Sequence, residues 1–283
     1  MARTLVHPGP VSKERIVSRE GNLVITKIQL KKGMPLIDAV SEILEEKGIR
    51  GAGIKFKNLK LAPVNYVMPT YSKDDKHVAF YSETHTLEEG IVIDYANATY
   101  GIRENVPFMH FHGLWKRDDK QNGGHILAPI SIVAEDCEAI AYSASGVEVD
   151  SVFDEETNFT IFRPVKGEGK EISGRKCIVA TVKANEDLLT AIKTICNKHN
   201  IFNASIWSGI GSTVGGIFEN GNVVEEIPTE LIVTNGEITK KSDGYDVEFE
   251  TALIDANGII HFGKLKKDEN PVLILFELVI VEK

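Results

Sequence analysis

Three imidazoles lie within sixteen residues of one another: His110-Phe111-His112 is followed by Gly123-Gly124-His125. In an extended strand, residues i and i+2 point to the same face, so His110 and His112 project side by side. Twelve residues separate His112 from His125, and the stretch from Lys116 to Asn122 within them is almost entirely polar. That composition predicts a hairpin tip returning the chain to a neighbouring strand, with Gly123 and Gly124 allowing close backbone approach. Three neutral imidazoles with one open position is the arrangement in which zinc keeps a water for chemistry.

Composition sets the frame around these residues. The 283-residue chain is 42% hydrophobic, enough for two ordinary domains, and carries a net charge of -9. Both halves are acidic, so neither offers the cationic surface that displaces counterions from phosphates, and direct nucleic-acid binding is not expected. Cys137, Cys177 and Cys196 are widely spaced and odd in number, which predicts reduced thiols in a cytoplasmic protein. No apolar run is long enough to span a bilayer, and the first ten residues lack a signal-peptide pattern, so no membrane association is expected.

The elements that would position the histidines form an internal repeat. Leu36, Ile37, Val40, Ile43 and Leu44 trace one face of an amphipathic helix, and Leu188, Leu189, Ile192, Ile195 and Cys196 repeat it at an offset of 152. Both helices stop at residues tolerant of the left-handed conformation, Gly48 and Asn200. Each lies between β-like stretches, at 23–30 and 51–56 in the first copy and 177–182 and 203–207 in the second. Further along, the offset falls to about 138 because of a longer loop between Ala62 and Ile93, one that includes Lys73-Asp74-Asp75-Lys76.

In that register His110, His112 and His125 fall on Glu248, Glu250 and Lys264, so one metal per chain is expected. The order strand, helix, then many strands predicts an α+β fold: two copies of a mainly antiparallel sheet, each with one principal helix packed on it. The expected units are an arm at 1–20, a three-histidine domain at 21–165 and a degenerate copy at 166–283. The segment from Val152 to Lys170 reads as their connection.

The HxH pair, polar hairpin, Gly-Gly-His and the following Glu138 together resemble the plant and prokaryote conserved (PPC, or DUF296) domain. The second half is similar through Asn185-Glu186-Asp187-Leu188, Ser208-Gly209-Ile210-Gly211 and Asp255-Ala256-Asn257-Gly258. The resemblance implies subunits that associate as trimers and, in bacterial members, a zinc ion held by the three histidines. Plant members join the domain to AT-hooks that grip the minor groove; this chain has no Arg-Gly-Arg-Pro core, so a DNA-binding role copied from them lacks its physical basis here.

If His110, His112 and His125 hold Zn²⁺, bound water would supply hydroxide near neutral pH for hydrolysis or lyase chemistry on a small polar or anionic ligand. Glu138 is the candidate catalytic carboxylate, as general base or as partner of a histidine N–H. Its counterpart Glu277 in the copy without histidines argues equally for a shared structural role. Arg103, Lys116 and Arg117 are candidate anion contacts, and His7 a candidate fourth ligand. The run from Ser208 to Gly216 lacks the helix a phosphate cradle needs and reads as tight backbone packing. Two functions stay open: a zinc site with a small-molecule ligand, or a noncatalytic oligomeric regulatory protein stiffened by zinc.

Overall fold

The computed structural model describes residues 3–168 and 172–283. The first repeat runs β1 (Ile16–Leu30), α1 (Leu36–Glu46), β2 (Ala52–Leu61), β3 (Ile91–Arg103), β4 (Val106–Arg117), β5 (Lys120–Ile126) and β6 (Cys137–Ala144). A hairpin follows, β7 (Val147–Asp154) and β8 (Phe159–Lys166). The second repeat is β9 (Lys176–Lys183), α2 (Leu188–Lys198), β10 (Asn203–Thr213), β11 (Thr229–Lys241), β12 (Gly244–Asp255), β13 (Ile260–Lys264) and β14 (Val272–Glu282).

Strand order makes the repeat explicit. The first copy is ordered β1-β6-β2-β3-β4-β5 and the second β9-β14-β10-β11-β12-β13, and the two orders correspond place for place. The helices coincide at the offset of 152, and Gly48 and Asn200 both have positive φ, 66° and 52°. Asp187 caps α2 by accepting a hydrogen bond from the Thr190 amide at 2.9 Å. Pro35 at the start of α1 makes no such side-chain bond. The apolar stripe of each helix closes its own core, around Leu36, Val40 and Leu44 in one copy and Leu188, Ile192 and Ile195 in the other.

Two departures from the sequence reading concern the ends of the first copy. The stretch from Val152 to Glu168 is no open connection: most of it belongs to the β7–β8 hairpin, paired from Val147↔Lys166 to Asp154↔Phe159. Gly169 and Lys170, which close that stretch, lie outside the described residues. Alternating Val147 and Val149, with Phe162 across the ladder, bury one face of the hairpin, and this periodicity outweighs the charges, Gly and Pro that made the segment look like a linker. The opening strand also starts inside the predicted arm. Residues 16–22 of β1 pair with β9 and residues 23–30 with β6, so both repeats share one continuous sheet.

That sheet folds the copies onto each other. Leu114 of β4 packs with Ile232, Ala252 and Ile254 of the second copy, while Val149 and Phe162 pack with Val179, Val279 and Val281. Glycine sets how close the faces come: a Cβ on Gly53 would lie 2.6 Å from Ser208 Cβ, and one on Gly123 2.8 Å from Ile254 Cδ1. Asn97, fully buried, donates across the same junction to the Gly209 and Val233 carbonyls at 3.2 and 2.9 Å. Gly209 and Gly211 of the glycine run are packed as tightly against Val233 and the Leu275 carbonyl, as the tight-packing reading required.

No helix among the described residues is long and apolar enough to cross a membrane. All three cysteines are unpaired, and burial pushes the Cys177 and Cys196 thiols up to about 12. Two outcomes follow from this packing. Gly53→Val, which forces atoms into the junction, lowers unfolding stability in urea by about 1–3 kcal/mol. Under native conditions a maleimide labels half-buried Cys137 first, and Cys177 and Cys196 only after denaturant is added.

Candidate metal centre

The histidines converge because β4 and β5 pair with His112 directly opposite His125, while His110 sits two residues back on the same face of β4. Their ring centroids lie 4.5 Å (His110 to His112), 5.0 Å (His110 to His125) and 5.5 Å (His112 to His125) apart. One ligand atom from each lies within 4.8 Å of the others, a spacing that a single metal ion can bridge. In the second copy Glu250 and Lys264 occupy the corresponding cross-strand pair. There Lys264 bonds Glu248 at the surface, and these residues form no such group.

The second repeat fixes which nitrogens face inward. His110 Nδ1 donates to the Glu277 carboxylate on β14, at 2.9 and 3.0 Å to its two oxygens. His112 Nδ1 meets the Leu231 carbonyl on β11 at 3.0 Å; a carbonyl only accepts, so the proton is on Nδ1. His112 therefore turns an Nε2 lone pair inward, 2.9 Å from His110 Nε2. Two ring nitrogens this close need a proton or a cation between them. His125 Nδ1 is buried without a hydrogen-bond partner. These converging ring nitrogens fit a metal ion, with Glu277 and the Leu231 carbonyl orienting His110 and His112.

A further carboxylate lies beside the cluster. Glu230 of β11 is 4% exposed, with Oε1 3.7 Å from His112 Nε2 and 3.8 Å from His125 Nδ1. Burial raises its pKa well above the usual carboxylate range. Burial, and then the neighbouring imidazoles, hold His112 and His125 well below the usual histidine range, so both rings are neutral, the form that binds a metal. Tyr81 packs edge-on against His125, ring centroids 5.0 Å apart. Burial and the charges of Glu230 and Glu277 raise its hydroxyl pKa. Tyr81 belongs to a short strand, Ala79–Tyr81, inside the longer loop of the first copy.

The structure does not bring Glu138 to the histidines. It lies half-exposed on β6, bonded to Gln29 at 2.8 Å and 3.6 Å from the Lys27 ammonium. The register explains the difference. Glu138 faces Gln29 on β1, and Glu277 faces Thr181, the counterpart of Gln29, on β9. The two glutamates hold the same place in their own repeats, yet the repeats meet head to tail, so the histidine face of the first receives the glutamate of the second.

The other candidates also lie elsewhere. Arg117 pairs with Glu89 at 3.2 Å, Lys116 is exposed, and Arg103 stacks over Phe108. His7 is buried in the docked arm, where Glu156 and Asp154 are the nearest acidic charges, and is not part of the metal group. Sequence reasoning missed Glu230, Glu277 and Tyr81; the one available signal was an acidic residue, Glu230, inside the apolar strand Thr229–Val233. Replacing Glu277 with alanine is expected to lower zinc affinity about 10–100-fold in chelator competition, whereas Glu138→Ala leaves it unchanged.

Comparison with known proteins agrees with the repeat. Residues 169–283 match the Plants and Prokaryotes Conserved (PCC) domain. No curated protein matches the chain. Among solved structures, a metal-containing protein from Archaeoglobus fulgidus is 26% identical, with a TM-score of 0.38, over 56% of this chain and 99% of its own. A plant- and prokaryote-conserved protein from Pyrococcus horikoshii is 13% identical over 56% of this chain and 99% of its own, TM-score 0.38. A putative DNA-binding protein from Ralstonia eutropha is 14% identical over 50% of this chain and 88% of its own, TM-score 0.35. Residues 169–283 thus match a PCC domain, and the same strand and helix order runs through 16–144, so the chain repeats one α+β unit twice.

Proposed function

We propose that the chain is a cytoplasmic zinc-binding protein whose ion fastens the first repeat to the second. His110, His112 and His125 would hold the zinc, and Glu277 and the Leu231 carbonyl would fix their tautomers from the other repeat. The observation that carries this reading is the division of the site: its imidazoles come from one copy, while the acceptors that orient them come from the other. A metal bound there would resist separation of the copies, which suits a noncatalytic regulatory or interaction protein.

A second reading rests on the half-buried edge of the site, where the His110 side chain is 17% exposed and Tyr81 packs on His125. A zinc ion with a free position would there lower the pKa of bound water to near 7. A small polar or anionic ligand entering past Tyr81 would meet it, with Glu277 in place to hold a proton through His110 Nδ1. Hydrolysis or lyase chemistry would follow from that arrangement. Assembly is proposed as a trimer. The head-to-tail contact uses the histidine face of one repeat and the glutamate face of the other, and leaves the Glu138 face and the Glu248–Glu250 face available to further copies.

Metal analysis tests the central claim. Untagged protein is expected to carry about one zinc per chain, and the His110→Ala, His112→Ala, His125→Ala triple variant none. Stripping the metal with a chelator is expected to lower the melting temperature and to speed amide exchange in β4, β5 and the start of β11. No uptake by the wild type after zinc titration would remove the proposal. Salt-dependent retention on duplex DNA at physiological ionic strength would establish a nucleic-acid role; the net charge of -9 predicts none.

A further inference from the structure

Glu230 is the carboxylate at the centre whose burial no hydrogen bond compensates. It is 4% exposed, and neither carboxylate oxygen has a hydrogen-bond partner. At the offset of 138 its counterpart in the first repeat is Val92, 43% exposed. An acid has thus been placed where the other copy carries an apolar residue, and there it is sealed from water. An ionised carboxylate in such a place is strongly unfavourable unless a positive charge meets it. Among the described residues no lysine or arginine pairs with it; its Oε1 has only His112 and His125 as ion-pair partners.

The distances identify what would supply it. At 3.7 and 3.8 Å from His112 Nε2 and His125 Nδ1, Oε1 is too far away for a hydrogen bond. Two ligands on one tetrahedral zinc, each bonded at about 2.0–2.2 Å, are separated by roughly 3.3–3.6 Å. Oε1 stands close to that spacing from both nitrogens, and His125 Nδ1 has no other partner. Resting on the three-histidine reading, we infer that Glu230 is the fourth ligand. The second repeat then coordinates the ion directly, and the coordination sphere is closed by protein.

The test uses the full-length chain loaded with Co²⁺ or Zn²⁺, comparing wild type with Glu230→Gln and Glu230→Ala. Circular dichroism and size exclusion establish that each variant is folded. Zinc affinity from chelator competition is expected to fall at least about tenfold in both variants. The visible spectrum of the Co²⁺ wild type should be unmoved by added azide, while Glu230→Ala shifts, because removing the carboxylate opens a position. Zinc affinity equal to wild type in both variants, or a wild-type spectrum that azide shifts as strongly as that of the alanine variant, would overturn the assignment and leave the three-histidine site intact. Failure of the wild type to take up either metal would overturn the histidine reading itself.

Discussion

The close approach of one repeat to the other, over a face where side chains are missing, is the constraint on which the rest of the structure depends. Gly53 and Gly123 present bare backbone to Ser208 and Ile254, and only because of that can β3 and β4 lie against β10 and β11. The same approach brings the Gly209 and Val233 carbonyls within reach of Asn97. It also carries Leu231, Glu230 and Glu277 to the histidines. A bulkier side chain at the junction would part the two faces, and the imidazoles would lose the acceptors that set their protonation. Packing and site chemistry are here one problem.

Electrostatics sharpens the point. Within the junction three imidazoles and two carboxylates share a space from which water is largely excluded. Burial drives the groups toward neutrality, with His112 and His125 losing protons and Glu230 retaining one. A divalent cation reverses that preference for the carboxylate and leaves the imidazoles in the form that binds it. The centre is a set of groups poorly satisfied by one another and well matched to an ion. Folded cores seldom keep such a set without a use for it.

Much of this was legible in the residues. The helical stripes at an offset of 152, the strand pairing of His112 with His125, and the loss of histidines at Glu248, Glu250 and Lys264 all follow from periodicity, which local sequence carries. The carboxylates could not be read in the same way. Glu138 and Glu277 occupy equal places in their repeats, and the choice between them depends on how the repeats pack, information that no single repeat contains. Glu230 lies more than a hundred residues from the histidines. Tyr81 comes from an insertion whose short strands carry no periodic signal. The β7–β8 hairpin was hidden by Asp154, Glu155 and Glu156, which lead into its turn, and by Pro164, which sits within β8 opposite Val149.

The double pairing of β1 has an implication for folding and for dissection of the chain. Its first seven described ladder residues, 16–22, cover β9, which would otherwise be the open margin of the second sheet. A fragment cut at either repeat boundary would leave unsatisfied N–H and C=O groups along a buried-type strand, Cys177-Ile178-Val179-Ala180-Thr181-Val182. Such a margin is a template for pairing between chains. The two copies therefore share a strand as a common seam, and the second repeat depends on residues 16–22, far ahead of it in the chain, to keep that margin covered.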